Sequence, residues 1–279
     1  MIVHQLKIKK IKYINNKLYA FNNIDKDKLD KNSQFLLGSI TKIFTAIGLL
    51  ILEQEKKINI NHTFKKYINH KELANVKIID VINHTSGIKR EYDSRYDIKG
   101  AKKRYNNCIK FFNSFKKEKL IKHKKGIYNY SNIGYILLGV LIETVTNLTY
   151  KEFINENILK PLKMKQSGFD IDKINTIIYT FNSNKLTKYQ INERFNLTSN
   201  GGLKSSVGDL IKFKKFPVLL NNESLILLQK LYFCRYDKDN KIYKINHGGR
   251  TDGCLTDFMI KFDSKWKFKE ILVELNTNI

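Results

Sequence analysis

Alternating apolar and polar residues, the period of a half-buried strand, gather at the two ends of this chain and are scarce in between. Residues 2–9 and 11–20 alternate, with Asn15 to Lys17 as the turn. The other end offers KIYKINHGG (241–249), CLTDFMIKFD (254–263) and FKEILVEL (268–275). From about 61 to 195 the chain reads as helical pieces and loops. Strands at both ends around a helical middle are best satisfied by one antiparallel sheet built from both ends, with the helices inserted. The fold class is therefore α+β. An α/β lobe draws on 1–60 and 196–279 and a helical lobe on 61–195, with a candidate site between them that takes residues from both.

The segment GSITKIFTAIGLL (38–50) constrains the chemistry. Ile40, Ile43, Phe44, Ile47, Leu50 and Ile51 follow i, i+3, i+4, i+7 spacing, and Ala46, Leu49 and Leu52 fill the other side. The helix expected over Ser39–Glu53 is thus nearly surrounded by protein. A lysine in such a helix is costly unless it is paired or neutralised, so Lys42 needs a reason to be there. Further on, KIIDVINHTSGI (77–88) reads as a helix running into a turn at Ser86-Gly87, where His84, Ser86 and Gly87 shape the turn. Residues 105–118 read as a lysine-rich helix, 130–146 as a second strongly apolar one, and 150–159 as a short one ended by Pro161. After a glycine turn at Gly201-Gly202, Ser206 is an N-cap with Asp209 three residues on, and a helical stretch runs from Pro217 to about Tyr232.

A length of 279 residues suits one large domain or two interleaved ones. The formal charge of +25 invites a nucleic-acid partner, but only six of the 51 basic residues are arginine, and the lysines are spread along the chain. That pattern favours a solvated surface with weak, salt-sensitive attraction to polyanions over specific nucleic-acid binding. Cys108, Cys234 and Cys254 are odd in number and lack CxxC spacing, which predicts reduced structural thiols and no metal site. The apolar runs 43–52 and 133–142 are too short to span a bilayer, and the lysine-studded start has no signal-peptide core, so a cytoplasmic location is expected.

Ser-x-x-Lys occurs four times, at Ser39, Ser86, Ser114 and Ser264, and Tyr-x-Asn four times, at Tyr13, Tyr67, Tyr105 and Tyr130. Context separates them. Ser39-x-x-Lys42 opens a buried helix, Tyr130-Ser131-Asn132 precedes another, and His247-Gly248-Gly249 ends a strand. Positions i and i+3 lie about 60° apart around a helix and about 4.5 Å apart along it, so Ser39 and Lys42 share a face. Desolvation favours the neutral amine, which can accept a hydroxyl proton. That makes Ser39 a candidate nucleophile with its base beside it.

In this order the three motifs resemble the serine β-lactamase and penicillin-binding-protein superfamily, whose class A members carry Ser-x-x-Lys, Ser-Asp-Asn and Lys-Thr-Gly. The branch resembled most is that of class C β-lactamases, D-alanyl-D-alanine carboxypeptidases and carboxylesterases. LLGSITKIFTA, VINHTSGI, YNYSNIGYILLGVLIE, ILKPLKMKQSGF, SNGGLKSSVGDLIKF and NHGGRTDG carry the resemblance from about Gln34 to Asp257. It implies a β-lactamase-like fold and an acyl-enzyme mechanism on an ester, amide or β-lactam of small-molecule or peptide origin, with no cofactor. Tyr130 would relay protons between Ser39, Lys42 and the leaving group, as base and then acid. Asn132 would hydrogen-bond the substrate and hold Lys42. His247, Gly248 and Gly249 would form the opposite wall, with the backbone N–H groups of Ser39 and Arg250 as the oxyanion hole.

Three departures accompany the likeness. His247 stands where many relatives have lysine, which weakens attraction for a substrate carboxylate, with Arg250 as the candidate to replace that charge. The resemblance leads one to expect no counterpart here of the terminal helices that cover the sheet in full-length relatives, which would leave one face exposed and sticky unless a partner chain covers it. The group often works outside the membrane, yet no export signal is visible. Two rival readings differ in class. A catalytically inactive scaffold of the same fold would be indifferent to Ser39→Ala. A nucleic-acid-associated protein would keep its binding at physiological salt.

Overall fold

The computed structural model describes residues 8–92, 107–182, 185–188, 198–251 and 253–277. An N-terminal hairpin pairs β1 (Lys9–Ile14) with β2 (Lys17–Asn22). Asn15 and Asn16 both take positive φ, 50° and 60°, which is the two-residue turn that suits strand twist and that asparagine tolerates. The turn lies where the sequence places it, and the strand bounds shift around it: the strand expected over 11–20 is divided at 15 and 16, and residues 1–7 lie outside the described residues.

A short strand β3 (Gln34–Leu36) leads through a 3-10 turn (Gly38–Ile40) into helix α1 (Thr41–Gln54). Helices α2 (Ile78–Ile82), α3 (Cys108–Phe115), α4 (Asn132–Thr146) and α5 (Tyr150–Ile154) follow. Then come the hairpin β4 (Tyr179–Asn182) and β5 (Lys185–Lys188), strand β6 (Lys204–Ser206), and helices α6 (Val207–Lys212) and α7 (Asn222–Leu228). Strands β7 (Cys234–Asp237), β8 (Ile242–Thr251), β9 (Cys254–Asp263) and β10 (Phe268–Thr277) come last. One antiparallel sheet runs β2-β1-β10-β9-β8-β7, and Ile11 faces Leu275 across the junction of the two chain ends. The fold is α+β, with one antiparallel sheet built from both ends of the chain, as the terminal alternation predicts.

The sheet's inner face buries Ile11, Phe258, Ile260, Phe262, Val273 and Leu275. Phe213 and Phe216 lie edge-on to Phe258 and Phe262 at 5.9 and 5.5 Å. Lys9 is buried on the same face, paired with Asp25 and Asp27 at 2.9 and 2.6 Å. The outer face carries ion pairs, Lys10 and Lys12 with Glu274 and Lys261 with Glu270, beside the exposed apolar side chains of Tyr19, Phe21 and Leu255.

Several elements differ from expectation. β3 pairs with β6, and β4 with β5, in segments for which the sequence marks no strand. β7 was not anticipated either; four residues alternate too briefly to signal a strand. The helix expected over 105–118 begins at Cys108, where Asn107 caps it, and residues 105 and 106 lie outside the described residues. Pro217 sits inside a 3-10 segment, Phe213–Leu219, ahead of α7. Ser206 does cap α6, accepting from the Asp209 amide at 3.3 Å. The three cysteines are free and buried, and burial pushes each thiol up to about 12, which makes them inert. Among the described residues no single helix is long and apolar enough to cross a membrane.

Candidate active site

Gly38 takes φ +52°, and a Cβ there would stand 2.8 Å from the Arg250 backbone nitrogen. The turn before α1 therefore needs glycine twice over: for its angle and for its contact with β8. The turn delivers Ser39 at the mouth of α1, one helical turn from Lys42. Lys42 is fully buried. Its Nζ donates to the Asn200 carbonyl at 2.6 Å and to Asn132 Oδ1 at 2.8 Å, and lies 3.1 Å from Ser39 Oγ. Burial pulls the Lys42 amine down to about 7, while the Glu91 carboxylate pushes it back up and Arg90 lowers it. The cost read from the sequence is met by neutralisation together with three polar contacts.

The second motif comes from the entry to α4. Ser131 caps that helix, accepting from the Gly134 amide at 2.9 Å and donating to the Lys89 carbonyl at 2.7 Å. The flanking Tyr130 and Asn132 are thereby aimed at Lys42. The Tyr130 hydroxyl donates to Ser39 Oγ at 2.7 Å. Burial raises the Tyr130 phenol to about 12, even though its bond to Ser39 pulls the other way. His84 lies beneath Tyr130, ring centroids 4.4 Å apart, with φ 59° and Nδ1 accepting from the Ser131 amide at 3.1 Å. Burial takes His84 down to about 3, so it is a neutral support. The helix-ending turn expected at His84-Thr85-Ser86-Gly87 thus also carries the floor of the site.

The third motif forms the opposite wall. Gly249 is pressed so closely onto the first turn that a Cβ would meet the Leu37 carbonyl oxygen at 1.9 Å. The Arg250 backbone, which sets that 2.8 Å approach to Gly38, brings its amide beside the Ser39 turn, where the oxyanion hole is expected. His247 Nε2 meets the Tyr232 hydroxyl at 2.7 Å, and its Nδ1 lies against the Gly248 carbonyl. Nδ1 therefore carries the proton and Nε2 accepts from Tyr232. Burial lowers His247 to about 4, so this wall presents a neutral imidazole.

The structure brings together Ser39, Lys42, Tyr130, Asn132 and the His247–Arg250 strand. Asn200, Glu91, His84 and Tyr232 were not singled out as site residues from sequence. Asn200 acts through its backbone carbonyl, which leaves no side-chain signature, and Glu91 reaches the site by a hydrogen bond from Asn132 Nδ2. Among the described residues no group of three His, Cys, Asp or Glu side chains is placed to hold a metal ion.

Replacing Tyr130 by Phe should lower kcat about 100-fold while leaving the thermal midpoint within a few degrees, because the ring still stacks on His84 and only the hydroxyl is lost. Steady-state kinetics with a chromogenic ester, beside a melting curve, checks the split.

The family model described as Beta-lactamase matches residues 12–234. Protein flp of Staphylococcus aureus strain MW2 is 30% identical over 170 residues, 58% of this chain and 33% of that protein. Teichoic acid D-alanine hydrolase of S. aureus strain MRSA252 is 34% identical over 170 residues, 58% of this chain and 40% of that protein. The chain thus spans well under half the length of these curated relatives. Among solved structures, a penicillin binding protein from Bacillus halodurans superposes with a TM-score of 0.74 at 18% identity, covering 97% of this chain and 90% of that one. FmtA from S. aureus gives 0.74 at 24%, covering 98% and 80%. A D-stereospecific amidohydrolase from Streptomyces sp. gives 0.73 at 18%, covering 97% and 88%. At these identities the superpositions speak for the fold.

Proposed function

The chain belongs to the beta-lactamase family, within the serine hydrolase superfamily, and from that premise we propose that Ser39 attacks an ester or amide carbonyl and is acylated and then released by water. The observation that carries this reading is the convergence of the Tyr130 hydroxyl and Lys42 Nζ on one oxygen, at 2.7 and 3.1 Å. The order of the two acidities divides the work. With Lys42 near 7 and Tyr130 near 12, the resting base is the neutral amine, and the phenol is the group that holds a proton to give. Lys42 takes the Ser39 proton as Oγ bonds to the carbonyl carbon. The electron pair of the C=O moves onto oxygen, facing the Ser39 and Arg250 amides. The tetrahedral intermediate collapses as Tyr130 donates to the leaving alkoxide or amine and is reprotonated through Lys42. Water then repeats the sequence on the acyl-enzyme, and the serine is regenerated.

Two of the named proteins accord with a carbonyl substrate: the hydrolase from S. aureus carries D-alanine in its name, and the Streptomyces neighbour is a D-stereospecific amidohydrolase. A neutral His247 argues against dependence on a substrate carboxylate. Treatment with a fluorophosphonate, and separately with a labelled penicillin, followed by intact-mass analysis and peptide mapping tests the reading. One fluorophosphonate adduct on Ser39, absent from Ser39→Ala, is the expected result. Folded protein that takes neither label overturns it.

A further inference from the structure

We infer that the rim of the site, residues 116–128, is a docking surface for an anionic lipid bilayer. The stretch KKEKLIKHKK (116–125) holds six lysines and a single carboxylate. That carboxylate, Glu118, turns inward and is buried against Lys89, whereas all six lysines are exposed. Lys125 lies 3.5 Å from Asp80, and the other five meet no carboxylate among the described residues. Gly126 then turns the chain at φ +86° in open space, and Ile127 and Tyr128 beyond it are each 56% exposed. A dense positive strip thus ends in two large apolar side chains presented to solvent.

The strip is built before any partner arrives. The Leu120 and Ile121 amides donate to Glu72 Oε2 at 3.0 and 2.9 Å, and those of Lys122 and His123 to the Gly87 carbonyl at 3.1 and 3.0 Å. The Gly126 amide donates to the Thr85 carbonyl at 2.8 Å, and the Asn129 amide to the His84 carbonyl at 2.7 Å. A backbone fixed at so many points has little freedom left to lose on docking. The strip is also joined to the site. The Tyr128 ring lies 5.8 Å from His84 and 6.4 Å from Tyr232, between centroids, and the chain runs straight on to Tyr130. Docking there would hold the mouth of the site against the membrane surface.

The side-chain types favour lipid over other polyanions. An exposed isoleucine gains little from a hydrated polymer of phosphates, but it gains apolar contact at the acyl boundary of a bilayer. Tyrosine suits the same depth, with its ring in the apolar layer and its hydroxyl among the head groups. Lysine keeps its ammonium at the head groups while its stem lies along apolar surface. The strip has no arginine, the residue whose planar fork suits nucleic-acid phosphates.

Flotation of the whole chain with large unilamellar vesicles tests this, using phosphatidylcholine alone and phosphatidylcholine with about 30% phosphatidylglycerol. At about 0.1 M salt, binding to the anionic vesicles should exceed that to the neutral ones by about 100-fold or more, and it should fall steeply at about 0.5 M. The double variant Lys122→Gln, Lys124→Gln should weaken it about 25-fold, about fivefold for each charge. The double variant Ile127→Ser, Tyr128→Ser should weaken it about tenfold with the net charge unchanged. Lys238→Gln, Lys241→Gln, at the exposed turn between β7 and β8, removes the same charge elsewhere and should cost no more than about twofold. Melting curves within a few degrees of wild type show that each variant is folded. A loss in the Lys238, Lys241 variant as large as in the Lys122, Lys124 one overturns the inference. So does binding undiminished in the Ile127, Tyr128 variant, since a polycation then meets any polyanion. Wild type that ignores both vesicles overturns it as well, and retention of single-stranded RNA at physiological salt would then assign the strip to nucleic acid.

Discussion

Lys42→Met should cost about 10³-fold in kcat/KM and remove the acid limb of the pH–rate profile. Methionine reproduces the lysine stem as far as Cε, so the helix keeps its apolar packing while the amine next to Ser39 Oγ is gone. Wild type depends on the neutral amine. With Lys42 near 7, kcat/KM should rise about tenfold per pH unit below about 7 and level off above it. Stability carries the same signature with a definite sign. The folded lysine titrates near 7 and the unfolded one near its ordinary value of 10.5, so across that window the unfolded chain binds the extra proton. Stability therefore climbs as pH rises from about 7 toward 10.5 and levels off at its lower value below 7, where both the folded and unfolded lysine are protonated. Melting curves taken from about pH 6 to about pH 9 should show wild type gaining on Lys42→Met as pH rises. Parallel curves for the two proteins would contradict the assignment of a buried, depressed amine.

Gly249→Ala should be nearly as damaging, for a reason of space. The added methyl would stand 1.9 Å from the Leu37 carbonyl oxygen and 2.4 Å from Thr256 Oγ1. Neither neighbour can withdraw freely. Leu37 donates its amide to the Leu203 carbonyl at 2.8 Å, and its own carbonyl accepts from Thr256 Oγ1 at 3.0 Å. β8 must then lift away from the Ser39 turn, taking the Arg250 amide with it. Loss of one aligned oxyanion donor costs about 100-fold in kcat, and the overpacking about 1–3 kcal/mol in stability. Single-turnover acylation beside denaturant unfolding separates the two effects. An alanine variant that acylates at the wild-type rate would show that this strand does not set the hole.

The sequence discloses the site where burial and chemistry conflict. Lys42 is legible because an ammonium among Ile43, Phe44 and Ile47 is expensive, and Ser39 because it stands on the same helical face. Tyr130 and Asn132 are picked from four similar triplets by the apolar helix that follows them. What stays hidden is whatever acts through backbone or through distant pairing. The Asn200 carbonyl on Lys42 has no side-chain mark, and the tie between Tyr232 and His247 joins residues whose types predict nothing about each other. The fold divides in the same way. Ten-residue strands such as β8, β9 and β10 show their period plainly, whereas β3 and β6, three residues each and buried throughout, show none. The first hairpin reverses at Asn15 and Asn16, within the Asn15–Lys17 turn that the sequence marks, and only its strand bounds, Lys9–Ile14 and Lys17–Asn22, differ from those expected.

The pairing of β1 with β10 has a consequence for how the molecule comes into being. Lys10 meets Asn276 and Tyr13 meets Val273, so the seam that completes the sheet joins residues some 260 positions apart. During synthesis the first hairpin must wait, without its neighbour, until nearly the whole chain has emerged. Contacts of such long sequence separation close late and slowly. Meanwhile Ile11, and the apolar side of α6 beneath it, wait uncovered, and that interval is when this protein most needs a chaperone.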